Sequence, residues 1–365
     1  MLKVPMVDTQ AWHAPVQDEL EQAALRVLRS GQFISGAEVA AFEQESACYL
    51  GSPYAVSCAN GTDALVLALL TAGIGNGDEV ITTPFSFFAT TEAILRVGAT
   101  PVFVDIDHKT FNLDPALIPP AISAKTKAVL VVHLFGLPAE LDALTVITEK
   151  YGLLLIEDCA QAFGASYQEK KVGAFGHIGC FSFFPSKNLG GFGDGGLITT
   201  GSAAIADQLK QLRNHGSRLS YYHESVGYNS RLDEVQAALL RVKLKHINHY
   251  NHQRRQVAQW YKEYLSEAPL VLPSGNDENT HTYNQFTVLV PDHRDAVQKQ
   301  LEKQSIASRV FYPTPLYRQP VLSNASRPLP VCEKVCEQCL SLPIFPGMVA
   351  EKVKALSAIL LEILA

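Results

Sequence analysis

The chain has 365 residues, 47% hydrophobic, 18% charged and 9% aromatic, a composition that excludes disorder, collagen-like repeats and a disulfide-stapled miniprotein. Its 30 lysines and arginines against 36 aspartates and glutamates give a formal charge of −6, and no basic block or aromatic-basic stripe offers an electrostatic basis for nucleic-acid binding. At roughly 100–200 residues per domain, the length accommodates two or three domains with a large buried core.

The segment from Met1 to His13 carries one lysine and no apolar run of a secretory leader, and no stretch elsewhere reaches the ~18 uncharged apolar residues of a bilayer span. The seven cysteines (Cys48, Cys58, Cys159, Cys180, Cys332, Cys336, Cys339) are odd in number and scattered, which fits a reducing compartment and makes the cytoplasm the expected location. Val16 to Ser30 places Leu20, Ala23, Ala24, Val27 and Leu28 at helical spacing and stops at Gly31. From Tyr54 onward, short apolar runs (Tyr54–Cys58, Glu79–Thr82, Pro101–Val104, Ala128–His133, Leu153–Ile156) alternate with helical segments at Thr62–Ala72, Thr90–Val97 and Glu140–Tyr151. Continuous apolar strands separated by helices predict an α/β core with a mainly parallel sheet covered on both faces.

Two further strand-like runs, Cys180–Phe184 and Gly196–Thr200, flank a glycine-rich segment, and a polar helix from Leu232 to about His246 closes this core. A helix-rich stretch through Lys262 leads to a smaller α+β unit. It comprises Tyr283–Val290, a helix at Arg294–Gln304, a strand at Ser308–Tyr312 and two C-terminal helices. The expected division is 1–250 and 251–365.

Three stretches carry chemistry. Ser57-Cys-Ala-Asn60-Gly61-Thr62-Asp63 joins a strand directly to a helix; the first helical N–H groups and the Thr62 hydroxyl suit a phosphate, although the same residues also make a plain capped helix start. Leu153-Leu-Leu-Ile-Glu-Asp158-Cys-Ala-Gln161 puts a carboxylate at the carboxyl end of a buried strand, where open α/β sheets bind ligands. Cys180-Phe-Ser-Phe-Phe-Pro-Ser-Lys187 then sets one lysine between an apolar strand and a glycine-rich loop. Desolvation there lowers an ammonium's pKa and makes the amine a nucleophile or Schiff-base former. Between the first two, Pro84-Phe-Ser-Phe-Phe88 ends another strand with an aromatic ring suited either to stacking on a flat ligand or to the core.

Phosphate turn, aromatic, strand-end Asp158 and a lysine 29 residues later, in this order, resemble the fold-type I pyridoxal phosphate (PLP) enzymes and, more narrowly, the DegT/StrS family of sugar-nucleotide aminotransferases. The resemblance extends from Gly31-Gln-Phe-Ile-Ser-Gly-Ala-Glu38 to Leu340-Ser-Leu-Pro-Ile-Phe-Pro-Gly347. It implies a large domain with a mostly parallel mixed sheet between helices and a smaller α+β C-terminal domain. It also implies that Lys187 holds PLP and acts as general acid and base, and that Asp158 pairs with the pyridine nitrogen. Phe88 would stack on the ring, Gln161 lie near its phenolic oxygen, and Gly61, Thr62 and Ser182 bind the phosphate. Asn229, in Gly227-Tyr-Asn229-Ser-Arg231, would reach the cofactor phosphate of a neighbouring subunit, which makes the expected assembly a homodimer with shared sites.

His133, Arg231, Tyr312 and Tyr317 are the expected substrate contacts. For His133 the alternative is a strand-end histidine satisfied by backbone; for Arg231 it is a helix-start salt bridge with Asp233 or Glu234. Many members of the family carry His where Tyr317 stands. The implied reaction transfers an amino group from L-glutamate, through the pyridoxamine form (PMP), to a nucleotide-linked keto sugar. Asn-Ser-Arg-Leu-Asp together with Tyr-Pro-Thr-Pro-Leu resembles the branch that aminates C3 of 3-keto-6-deoxyhexoses and 3-keto uronic acids; amination at C4 is the alternative.

Two other motifs have competing readings. Cys332, Cys336 and Cys339 have the spacing of radical-SAM iron–sulfur ligands, but also that of one apolar helix face. Gly191-x-Gly193-x-x-Gly196 matches a dinucleotide fingerprint, yet the adjoining Leu197-Ile-Thr-Thr reads as a strand and not the required helix. A fold relative without catalysis, or a PLP-dependent sugar dehydratase with His in the lysine position, is disfavoured by the presence of Lys187.

Overall fold

The structure, a computed structural model, describes residues 3–275, 280–322 and 328–365. Helices α1 (Thr9–His13), α2 (Gln17–Ser30) and α3 (Ala37–Leu50) open the chain. Asp18 and Glu19 favour the positive first turn of α2, its Leu20, Ala23 and Val27 are buried, and Gly31 ends it at φ 70°. Helix α3 is absent from the sequence reading, although Val39, Phe42, Ser46 and Leu50 turn inward at helical spacing.

The main further elements of the large unit, short hairpins and 3-10 turns aside, are β1 (Tyr54–Cys58), α4 (Gly61–Thr71), β2 (Glu79–Thr82), α5 (Ala89–Arg96), β3 (Thr100–Phe103), β4 (Thr126–Val132), α6 (Leu141–Tyr151), β5 (Leu154–Asp158), β6 (Ile178–Ser182), β7 (Gly196–Thr200), α7 (Ala203–Leu212) and α8 (Glu234–Leu244). The seven strands form one sheet in the order β1-β7-β6-β5-β4-β2-β3. All pairings are parallel except those of β7, which runs antiparallel to β1 and β6. Successive side chains of β4 enter opposite cores, Val129 and Val131 on one face, Ala128 and Leu130 on the other. Period-two alternation between two buried faces is why these strands read as unbroken apolar runs.

A smaller unit follows helix α9 (Ile247–Tyr264): strand β8 (Phe286–Leu289), α10 (Arg294–Lys303), α11 (Pro330–Gln338), β9 (Cys339–Leu342) and α12 (Ala350–Leu364). The boundary expected at 250/251 falls inside α9, whose Ile247 packs in the large unit's core while Val257, Ala258 and Tyr261 belong to the small unit's. The strand expected at Ser308–Tyr312 is a single bridge, Arg309 to Ser341; prolines at 313 and 315 supply no N–H to a ladder. The partner of β8 is instead β9. Among the described residues, no helix is long and apolar enough to cross a membrane.

Candidate active site

A cavity of about 480 Å³ opens at the carboxyl ends of β5 and β6, the edge where parallel sheets bind ligands. Of the residues singled out from the sequence, Gly61, Thr62, Asp158, Gln161, Ser182, Lys187 and Tyr312 line it. Lys187 and Asp158, which carry the whole reading, therefore share one chamber.

Each wall has a local cause. Asn60 caps α4, its Oδ1 accepting from the Asp63 N–H at 2.8 Å, so the helix starts abruptly after β1. A Cβ at position 61 would lie 2.6 Å from Ser182 Cβ, so only glycine lets this helix end approach β6. The result is a cradle of helical N–H groups and two hydroxyls, Thr62 and Ser182, suited to a phosphate. Asp158 ends β5; its Oδ2 accepts from Thr90 Oγ1 at 2.9 Å and its Oδ1 from the Ala160 N–H at 3.1 Å. Burial pushes this carboxyl above its ordinary range, opposed by those two donors and by the charge of Lys187; a cation bound beside it favours the ionised form.

Lys187 lies in the turn after β6, anchored by its N–H to the Phe184 carbonyl at 2.8 Å. Desolvation brings its ammonium down to about 8, with Asp158 pulling the other way. The neutral amine is thus about a tenth of the population at pH 7, far more than for an exposed lysine, which favours nucleophilic chemistry. Acylation of Lys187 in the cofactor-free protein, followed by peptide mass spectrometry, is expected to inflect near pH 8, while exposed lysines inflect at about 10.4. A Lys187 inflection coinciding with theirs would show that the cavity does not activate the amine.

Gln161 Oε1 accepts from the Phe135 N–H at 2.7 Å and its Nε2 donates to the Tyr312 hydroxyl at 3.1 Å. The amide thereby fixes Tyr312 at the cavity wall, and burial raises the phenol's pKa, keeping it protonated.

Several expected residues lie elsewhere. Phe87, 59% exposed, lines the cavity, whereas Phe88 packs against the apolar cluster containing Phe85, Phe103 and Phe135. As the residue preceding α5, Phe88 turns into the core and its neighbour faces the ligand space. His133 is fully buried and outside the cavity. Its Nε2 is 3.0 Å from Glu157 Oε2, and its Nδ1 accepts from the Ala139 N–H at 3.1 Å; both ring nitrogens are thus engaged within the protein. Tyr317 is likewise withdrawn into a core cluster, its hydroxyl bonded to Glu333 and accepting from the Leu329 N–H, so the phenol has no free edge for a sugar. Asn229 is exposed and does not line this chain's cavity. Arg231 is also outside it, its Nη1 donating to Asn214 Oδ1 at 3.2 Å. Glu234, offered as its ion-pair partner, is occupied by the N–H groups of Gly36, Glu38 and Val39.

The cavity also contains Thr90, Ser186, Asn284, Gln285 and Phe311, absent from the sequence reading. The Thr90 N–H donates to the Phe87 carbonyl at 3.2 Å, a turn at the start of α5 that brings both residues to the cavity.

The cysteine trio divides between two elements. Cys332 and Cys336 face one another on α11 with sulfurs 4.0 Å apart, while Cys339 opens β9. Its mutual hydrogen bond with Cys336, then burial, pushes the Cys332 thiol far up, and burial raises Cys339 to about 12. The donor atoms of His133, Glu157 and Cys159 lie within 4.8 Å of one another. Glu157, however, is occupied by His133 and the N–H groups of Gly173, Phe175 and Gly176. Gly196 opens β7, so its glycine pattern is not a dinucleotide fingerprint.

This donor set fits PLP: a phosphate cradle, an amine of lowered pKa, and a hydrogen-bonded carboxylate on one cavity. Known proteins agree. The chain is 46% identical, over 98% of its length and 97% of the relative's, to the UDP-N-acetyl-3-dehydro-alpha-D-glucosamine 3-aminotransferase of Acidithiobacillus ferrooxidans. It is 41% identical, over 98% and 99%, to the UDP-2-acetamido-2-deoxy-3-oxo-D-glucuronate aminotransferase of Pseudomonas aeruginosa. The S. venezuelae DesV crystal structure, in complex with a ketimine intermediate, superposes with a TM-score of 0.96 at 40% identity, covering 99% of this chain and 98% of that one. Residues 15–360 match the model of the DegT/DnrJ/EryC1/StrS aminotransferase family, and this chain, with its PLP-type site, belongs to that family.

Proposed function

We propose that the protein transfers an amino group from L-glutamate to C3 of a nucleotide-linked keto sugar. The observation that carries this reading is the convergence of Lys187, Asp158 and the Gly61 cradle on one cavity. C3 is favoured because three relatives, 41–46% identical along nearly their whole length, carry names of 3-amino or 3-oxo sugar nucleotide enzymes.

PLP, when bound, supplies an electron sink for the carbanion formed at an amino acid's Cα. Asp158, held by Thr90 and the Ala160 N–H, keeps a pyridine nitrogen protonated. Lys187 would hold the cofactor and would move a proton at the reacting carbon as general base and then acid. Gly61, Thr62 and Ser182 bind the phosphate, Phe87 takes the stacking role, and Gln161 orients Tyr312 toward the substrate side. Asn229 and Arg231, outside their own cavity, serve the second active site of a homodimer. Seven free thiols suit the reducing cytoplasm.

The test is a panel of UDP- and dTDP-linked 3-keto and 4-keto sugars with glutamate as donor, read by mass spectrometry for exchange of oxygen for an amine. Conversion of 3-keto substrates is expected. Conversion confined to 4-keto sugars would assign the protein to the other regiochemistry, and no conversion together with indifference to PLP would refute the reading.

A further inference from the structure

The residues on both sides of Lys187 are held by buried side-chain amides. Asn188, buried, donates through Nδ2 to Asn251 Oδ1 at 2.7 Å and to the Thr282 carbonyl at 3.0 Å, and its Oδ1 accepts from Asn284 Nδ2 at 3.0 Å. Asn284 Nδ2 also reaches the carbonyl of Ser186 at 3.4 Å. Asn251, on α9, donates in turn to the Phe163 carbonyl at 3.0 Å, and the Asn284 carbonyl accepts from the buried Arg254. Three buried amides therefore join the lysine turn to α9 and to the segment leading into β8.

Both hydrogens of the Asn188 amide and its oxygen are used, so its orientation is fixed: reversed, its oxygen would face Asn251 Oδ1 and the Thr282 carbonyl. A buried polar network in which each link is made holds one geometry, whereas a partly made one is costly and loose. None of the reaction steps assigned above uses Asn188 or Asn251. We propose that Asn188, through the relay Asn251–Asn188–Asn284, is a positioning residue that fixes the Ser186–Asn188 turn and thereby the placement of the Lys187 amine in the cavity. The role rests on Lys187 being the cofactor lysine, yet its structural part is measurable without cofactor.

The experiment is acylation of Lys187 in cofactor-free protein from pH 6 to 11, with peptide mass spectrometry, for wild type, Asn188→Ala and Asn251→Ala. A loosened turn admits water to the amine, so the Lys187 inflection is expected to rise from near 8 by about one unit in Asn188→Ala, with a smaller rise in Asn251→Ala. In the PLP-loaded enzyme, the same variants are expected to lower kcat roughly tenfold while the KM for the keto sugar changes less than about twofold. Asn251→Ala, which leaves the lysine turn's own sequence intact, carries the test if Asn188→Ala does not fold. A lower melting temperature with an unmoved Lys187 inflection and unchanged kcat in the folded variants would reduce the relay to a structural feature and overturn the proposal. A wild-type protein whose Lys187 titrates near 8 but which neither binds PLP nor aminates keto sugars would overturn the transaminase reading and leave the relay standing.

Discussion

Lys187→Ala is expected to reduce glutamate-dependent sugar amination by roughly 10⁴-fold or more and to abolish the visible absorption band of lysine-bound PLP. General acid–base catalysis by a placed side chain contributes about 10²–10⁴, and this variant also loses the covalent anchor. Among the described residues lining the cavity, Lys187 is the sole cationic side chain, so none of those neighbours can substitute as an amine. The measurement is paired: kcat by mass spectrometry of the aminated product, and the absorption spectrum before and after glutamate, which bleaches the wild-type band. Retention of even a tenth of wild-type turnover would place the catalytic amine elsewhere. An added primary amine is expected to restore part of the activity, because it returns a base without the tether.

Asp158→Asn is the second large effect. An opposite charge in contact shifts a pKa by about 1–3 units, equivalent to ~1.4–4 kcal/mol, so losing it is expected to slow the glutamate half-reaction by roughly 10 to 10³-fold. Asparagine preserves volume and a hydrogen-bonding oxygen but removes the charge that keeps a pyridine protonated. Because Asp158 holds the Lys187 ammonium up against desolvation, the same variant is also expected to move the acylation inflection of Lys187 below 8. That direction is opposite to the rise expected when Asn188 is truncated, so charge and positioning separate in one assay. Unchanged half-reaction kinetics in Asp158→Asn would remove the carboxylate from the cofactor's neighbourhood.

The sheet was readable because its strands are buried on both faces: Tyr54–Cys58, Glu79–Thr82 and Gly196–Thr200 coincide with their observed limits. The β6 run is displaced by two residues because Phe183 and Phe184 extend the apolar text beyond the last ladder pair at Ser182. The meeting of Lys187 and Asp158 in one cavity was legible from their places after buried strands. What the sequence hid depends on partners distant along the chain or on one-residue rotations. Phe87 and Phe88 are identical in type and adjacent, and only the start of α5 decides which faces the ligand. His133 is satisfied by Glu157 of the neighbouring strand, and Tyr317 by Glu333 of α11. Cys339 continues a helical spacing by count, yet pairing with Leu289 makes it the first residue of β9.

Asp158 sits at the last pair of the β5 and β6 ladder, opposite Cys180, and Lys187 follows from the same β6. The ladder fixes Asp158 and the end of β6 from which the Lys187 turn departs, whereas Gln285, Phe311 and Tyr312 arrive on connections that precede β8 and follow α10. Substitutions at those three positions can consequently reshape this side of the cavity while the ladder that places Asp158 is left intact.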